Sequence, residues 1–136
     1  MDPHEAEPGR STAGAVTGLP LLLLRLEGAA LLVASVFLYV EFGRSWLFFA
    51  LLLFVPDVGM LGYLADTRIG AVAYDVFHTL VGPTALLVVG VATDATGATA
   101  VAIIWFAHIG LDRALGYGLK YADAFQHTHL GTIGRR

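Results

Sequence analysis

Four apolar runs, separated by short polar links, constrain this chain more than any other feature. They extend from about Leu19 to Val40, Ser45 to Leu64, Ala71 to Ala92 and Ala98 to Leu115. Each has about 18–22 residues, the length at which an α-helix crosses roughly 30 Å of hydrocarbon. Composition supports the same reading, with 57% hydrophobic and only 14% charged residues. A soluble domain of 136 residues has too little interior to bury that much apolar surface. The links Glu41–Arg44, Ala65–Gly70 and Thr93–Gly97 are short and polar, so neighbouring helices run antiparallel. The expected fold is an all-α, four-transmembrane-helix bundle with the lipid bilayer as its solvent.

The bundle occupies residues 19–115. Residues 1–18 are rich in Pro, Gly, Ser, Thr and acidic residues and read as a flexible tail. Asp2, Glu5 and Glu7 precede the first apolar run, where a secretory signal would carry basic residues. Residues 116–136 are too polar to span and read as an interfacial tail, with Tyr117, Leu119, Tyr121 and Phe125 as anchors. If the helices alternate, Arg10, Arg25, Arg68, Arg113, Lys120, Arg135 and Arg136 lie at one end and Arg44 at the other. The positive-inside rule then puts both termini in the cytoplasm.

Several chemistries are excluded at once. Eight basic against eleven acidic residues give no electrostatic footprint for nucleic acid. The absence of cysteine removes disulfides, thiolate metal sites and a catalytic thiol. No G-x-S-x-G elbow and no phosphate-cradling glycine motif is present.

Ionisable residues inside apolar spans are energetically unfavourable, by about 2.5–3.5 kcal/mol each at mid-span, so each needs a reason. Counted from the same end of the bundle, Glu27, Asp57, His78 and His108 all fall roughly 10–12 Å deep, one from each helix. His108 and Asp112 are four residues apart and Asp75 and His78 three, so each pair shares a helix face. Imidazole and carboxylate together suit Zn, Fe or Mn. In the tail, His127 and His129 alternate in a Gly-flanked segment that, if extended, points both toward the bundle mouth. Asp75, Asp112 and Arg113 also fit interfacial roles, and Arg25 reads as a headgroup anchor. Pro56 and Pro83 should loosen their helices. Gly59, Gly62, Gly82, Gly110 and Gly116 should allow close helix packing.

Several stretches resemble one family. They are Leu24-Arg25-Leu26-Glu27-Gly28, Pro56-Asp57-Val58-Gly59-Met60-Leu61-Gly62-Tyr63, Tyr74 to His78, Trp105 to Arg113, Gly116 to Tyr121 and Thr128-His129-Leu130-Gly131. Together they resemble the family named only as domain of unknown function 4260, over about residues 19–134. That resemblance implies an integral membrane protein and carries no activity. The intramembrane His and Asp residues with the Thr128-His129 segment are also loosely similar to membrane proteins described as metal-dependent hydrolases. This implies a metal held by His and Asp from several helices.

The leading expectation is a metal-dependent membrane hydrolase of a lipid or amphipathic substrate. Asp57, His78, His108, Asp112 and His129 would hold a divalent metal, and Glu27 would be the general base. A redox protein is the second reading, with His78 and His108 as axial haem ligands or with a carboxylate-rich di-iron site. The third is a non-catalytic proton or ion path. Four short helices enclose little room for a pore, so this reading calls for a homo-oligomer.

Overall fold

A computed structural model describes residues 14–42, 44–121 and 127–132. Among them the chain forms α1 (Gly18–Glu41), α2 (Trp46–Leu53), a 3-10 segment (Val55–Leu64), α3 (Thr67–His78), α4 (Val81–Ala92) and α5 (Thr96–Leu115). Two short strands follow, β1 (His127–Thr128) and β2 (Gly131–Thr132). Four helical stretches are long and apolar enough to cross a membrane: Gly18–Glu41, Trp46–Leu64, Thr67–Ala92 and Thr96–Leu115. The four expected spans are therefore present, and the fold is all-helical apart from the terminal strand pair. Most of the flexible-tail assignment, residues 1–13, lies outside the described residues.

The middle two spans are not regular helices, and proline explains why. Pro56 has no N–H to continue the α ladder, and the backbone tightens into 3-10 geometry. There the Asp57 N–H bonds the Phe54 carbonyl at 3.1 Å. Pro83 likewise lacks an N–H, and its ring would collide with the Thr79 carbonyl in a continuous helix. Thr79 is extended instead (φ −83°, ψ 153°), and the third span divides into α3 and α4. This interruption leaves the Phe77 carbonyl to accept the Trp105 indole N–H at 2.6 Å. The third span also begins earlier than its apolar run. Asp66 caps α3 by accepting the Ile69 N–H at 2.7 Å, so helix starts at Thr67 within what reads as a link.

α5 is the central element. Half of its most apolar stretch is buried, against 11–17% in the other spans. α1, α2 and α4 pack on α5, while the 3-10 segment packs on α3. The α1–α5 crossing depends on two glycines. A Cβ at Gly28 would lie 2.9 Å from the Gly110 carbonyl oxygen, and one at Gly110 would lie 2.7 Å from that of Gly28. Gly59, Gly62 and Gly82 have the packing role expected of them, against Ala73, Gly70 and Trp105 respectively. Gly116 differs: it ends α5 in the left-handed conformation (φ 90°) and turns the chain back over the bundle.

The polar tail is folded onto that end. β1 and β2 pair antiparallel, and Thr128 also bridges to Lys120. His129 N–H bonds the Leu119 carbonyl at 3.0 Å, and Val16 N–H bonds the His129 carbonyl at 2.8 Å. Lys120, Thr128 and Leu130 are buried. Arg25, read as a headgroup anchor, donates to the Ala114 carbonyl at 3.0 Å and so satisfies the end of α5.

Candidate metal centre

The helix interruptions position two of the polar residues. Asp57 lies in the first turn of the 3-10 segment, directly after Pro56, and His78 is the last residue of α3. α5 supplies His108 and Asp112, one turn apart on one face. The four side chains converge, each offering one ligand atom, and these atoms all lie within 4.8 Å of one another. His78 Nε2 is 2.9 Å from His108 Nε2. It is 3.2 Å from Asp57 Oδ1 and 3.3 Å from Asp112 Oδ2. His108 Nε2 is 3.4 Å from Asp57 Oδ1 and 3.3 Å from Asp112 Oδ2.

Those separations have a chemical meaning. Four donors placed about 2.0–2.1 Å from a tetrahedral ion lie about 3.3–3.4 Å from one another. The five separations that involve an imidazole nitrogen run from 2.9 to 3.4 Å, near that range, and the sixth, between the two carboxylates, lies within 4.8 Å. Proton placement points the same way. His78 Nδ1 is 2.8 Å from the Tyr74 carbonyl, which can only accept, so Nδ1 carries the proton in neutral His78. Its Nε2 lone pair then faces two carboxylate oxygens and a second imidazole nitrogen. A cation at the centre removes that repulsion. His108 Nδ1 is buried without a well-formed hydrogen bond, with the Leu53 carbonyl close by.

Charge balance agrees with geometry. With neutral imidazoles, Asp57 and Asp112 bring two negative charges into a site where both histidines are buried. One divalent ion offsets both. Oxygen and nitrogen donors of this kind suit Zn, Fe or Mn. Axial ligation of a haem does not fit. Nitrogens on opposite sides of one iron need about 4 Å between them at usual metal–nitrogen lengths of about 2 Å, against the 2.9 Å observed.

The remaining sequence candidates lie elsewhere. Glu27 is exposed on α1 and interacts electrostatically with Arg113 rather than joining the four. Depth along a span, which brought Glu27 into consideration, does not fix rotation about the helix axis. His129 is also held apart: its Nδ1 accepts the Leu119 N–H at 2.8 Å, so this lone pair is committed to the backbone. Burial and the nearby Arg113 charge lower its pKa from the usual imidazole value. Asp75 shares the α3 face with His78 but turns to the tail, where Oδ1 accepts the Lys120 N–H at 2.6 Å. The side chain of His127 lies outside the described residues.

Two neighbours of the site escaped the sequence reading. Tyr74 stacks on His78 with ring centroids 3.7 Å apart and planes 9° apart, and its hydroxyl reaches Asp112 Oδ2 at 3.5 Å. Its position four residues before His78 was the available signal. Lys120, only 4% exposed, places Nζ 4.5 Å from the Tyr74 ring centroid. Burial lowers its pKa to about 8, opposed by the Asp75, Asp112 and Asp57 carboxylates.

A family model described as "Domain of unknown function (DUF4260)" matches residues 21–133. No curated protein and no solved structure matches the chain.

Proposed function

The chain belongs to the DUF4260 family, whose description carries no activity, so we propose a function from the site itself: a divalent-metal-dependent hydrolase acting on a lipid or amphipathic molecule in the membrane. The convergence of Asp57, His78, His108 and Asp112 carries this reading. His78, His108 and Asp112 are the better buried donors and would hold the ion. Two imidazoles and one carboxylate form a set used by hydrolytic zinc sites, which keep a fourth position open. A divalent ion supplies Lewis acidity, lowering the pKa of water toward about 7 in zinc enzymes.

Asp57 is the most exposed of the four, at 34%, and sits on the 3-10 segment rather than on a regular helix. With the other three residues holding an ion, the Asp57 carboxylate would be the group placed to accept a proton from the attacking water. In this role Asp57 replaces Glu27 as general base. Phe54, Val55, Val58 and Leu61, on the same stretch, expose large apolar surface. That surroundings favours a substrate reaching Asp57 from the hydrocarbon side. By the positive-inside rule the end bearing Arg25, Arg68, Arg113 and Lys120 is cytoplasmic, with both termini on that side.

The test is hydrolysis of fluorogenic phospholipid and ester probes by the protein in proteoliposomes. Turnover that chelator abolishes, added zinc restores and Asp57→Asn removes while metal stays bound is the predicted result. Metal-loaded protein that cleaves none of them, or activity indifferent to chelator, contradicts the hydrolase assignment.

A further inference from the structure

The polar tail meets the proposed metal centre through one buried side chain. Lys120 follows the Gly116 turn, and its backbone N–H is fixed by Asp75 at 2.6 Å while Thr128 bridges to it from β1. These ties direct the side chain onto Tyr74, with Nζ 4.5 Å from the ring centroid. The Tyr63 ring is 5.9 Å from the same nitrogen, at the outer limit for attraction between a cation and an aromatic face. Tyr74 in turn stacks in near-parallel contact with His78. The Tyr74 ring is therefore in contact with both the Lys120 ammonium and the His78 imidazole.

We propose that Lys120 is a positioning residue for the metal centre, holding Tyr74 and through it the His78 imidazole and Asp112 carboxylate in the orientation an ion requires. The inference rests on the metal-site reading above. Its physical basis is twofold. The ammonium contact restrains the ring against which His78 stacks, and the Tyr74 carbonyl fixes the same imidazole at Nδ1. The buried ammonium also partly offsets the carboxylate charge around the site without occupying a ligand position. Groups that orient ligands in this way typically contribute tenfold to a hundredfold in metal affinity.

The experiment uses cobalt(II) as the probe, bound to the full-length protein in detergent. Its d–d absorption reports ligand geometry, and competition with a chromophoric chelator reports affinity. Lys120→Met should weaken cobalt binding by about tenfold to a hundredfold and shift the d–d bands, whereas Lys120→Arg, which keeps the cation over the ring, should restore both. Tyr74→Leu should reproduce the loss, while Tyr74→Phe, which keeps the ring, should retain most of the affinity. This second pair decides the matter if Lys120→Met does not fold. Native affinity and spectrum in Lys120→Met, or in Tyr74→Leu, would overturn the proposal. Failure of the native protein to bind cobalt would overturn the metal-site reading instead.

Discussion

At the residue scale, the site follows from how few ways a buried imidazole can satisfy both nitrogens. The Tyr74 carbonyl accepts a hydrogen bond from His78 Nδ1–H, so the Nε2 lone pair must face the other three donors. Asp112→Asn keeps the shape of the side chain but removes the charge that faces both histidines. It should lower zinc affinity by more than about a hundredfold, beyond the range seen for groups that only support a ligand. Asp57→Asn, at the more exposed position, should lower it by about tenfold or less. Competition with a zinc indicator in detergent measures both, and equal losses would remove the distinction drawn between the two carboxylates. Glu27→Gln should leave affinity unchanged in the same assay. Asp57, His78, His108 and Asp112 were legible in the sequence because ionisable groups stand out in apolar runs and the i,i+4 spacing fixes a face. Glu27 and His129 were not separable from them. Neither depth in a span nor an extended tail specifies where a side chain points, and backbone donors such as Leu119 N–H have no sequence signature.

At the scale of elements, two prolines and two glycines set the geometry. Pro56 and Pro83 were visible as helix breakers, but the outcome was not. Whether a span bends, tightens to 3-10 or divides depends on which freed carbonyl finds a donor, as Phe77 does in Trp105. The α1–α5 crossing admits no Cβ at Gly28, where the nearest backbone and side-chain atoms would lie 2.7–2.9 Å away. Gly28→Ala should therefore destabilise the protein by about 1–3 kcal/mol, read as a lowered midpoint of heat-induced unfolding in detergent. An unchanged midpoint would mean the crossing is looser than described. The tail carries a pH dependence through His129. Its pKa is below the ordinary imidazole value because of burial and Arg113, so the folded tail prefers the neutral ring. Its stability is full above the unfolded value of about 6.5 and is lost as pH falls through the lower folded value. Protonation also removes the lone pair that accepts Leu119 N–H. Hydrogen exchange at Leu119 should accelerate below pH about 6.5 beyond the intrinsic trend, and His129→Gln should abolish that excess.

At the scale of the molecule, the apolar runs determine the architecture and four of the polar residues within them, Asp57, His78, His108 and Asp112, converge on one site. The number and order of spans were readable because membrane thickness imposes a length on each helix. The centrality of α5 was not read from the sequence, although its span is the least apolar of the four, with mean hydropathy 1.3 against 1.6–2.1 in the others. The folded tail escaped notice because its burial depends on Lys120, Thr128 and Leu130 meeting the bundle end, and their local sequence is polar. The most direct test of the whole reading is the metal content of protein purified in detergent without added chelator, measured by elemental mass spectrometry alongside His108→Ala of matched helicity. One tightly held divalent ion per chain in the native protein, absent from the variant, is the predicted result. A native preparation free of stoichiometric metal that also takes up none from zinc-, iron- or manganese-containing buffer would contradict it.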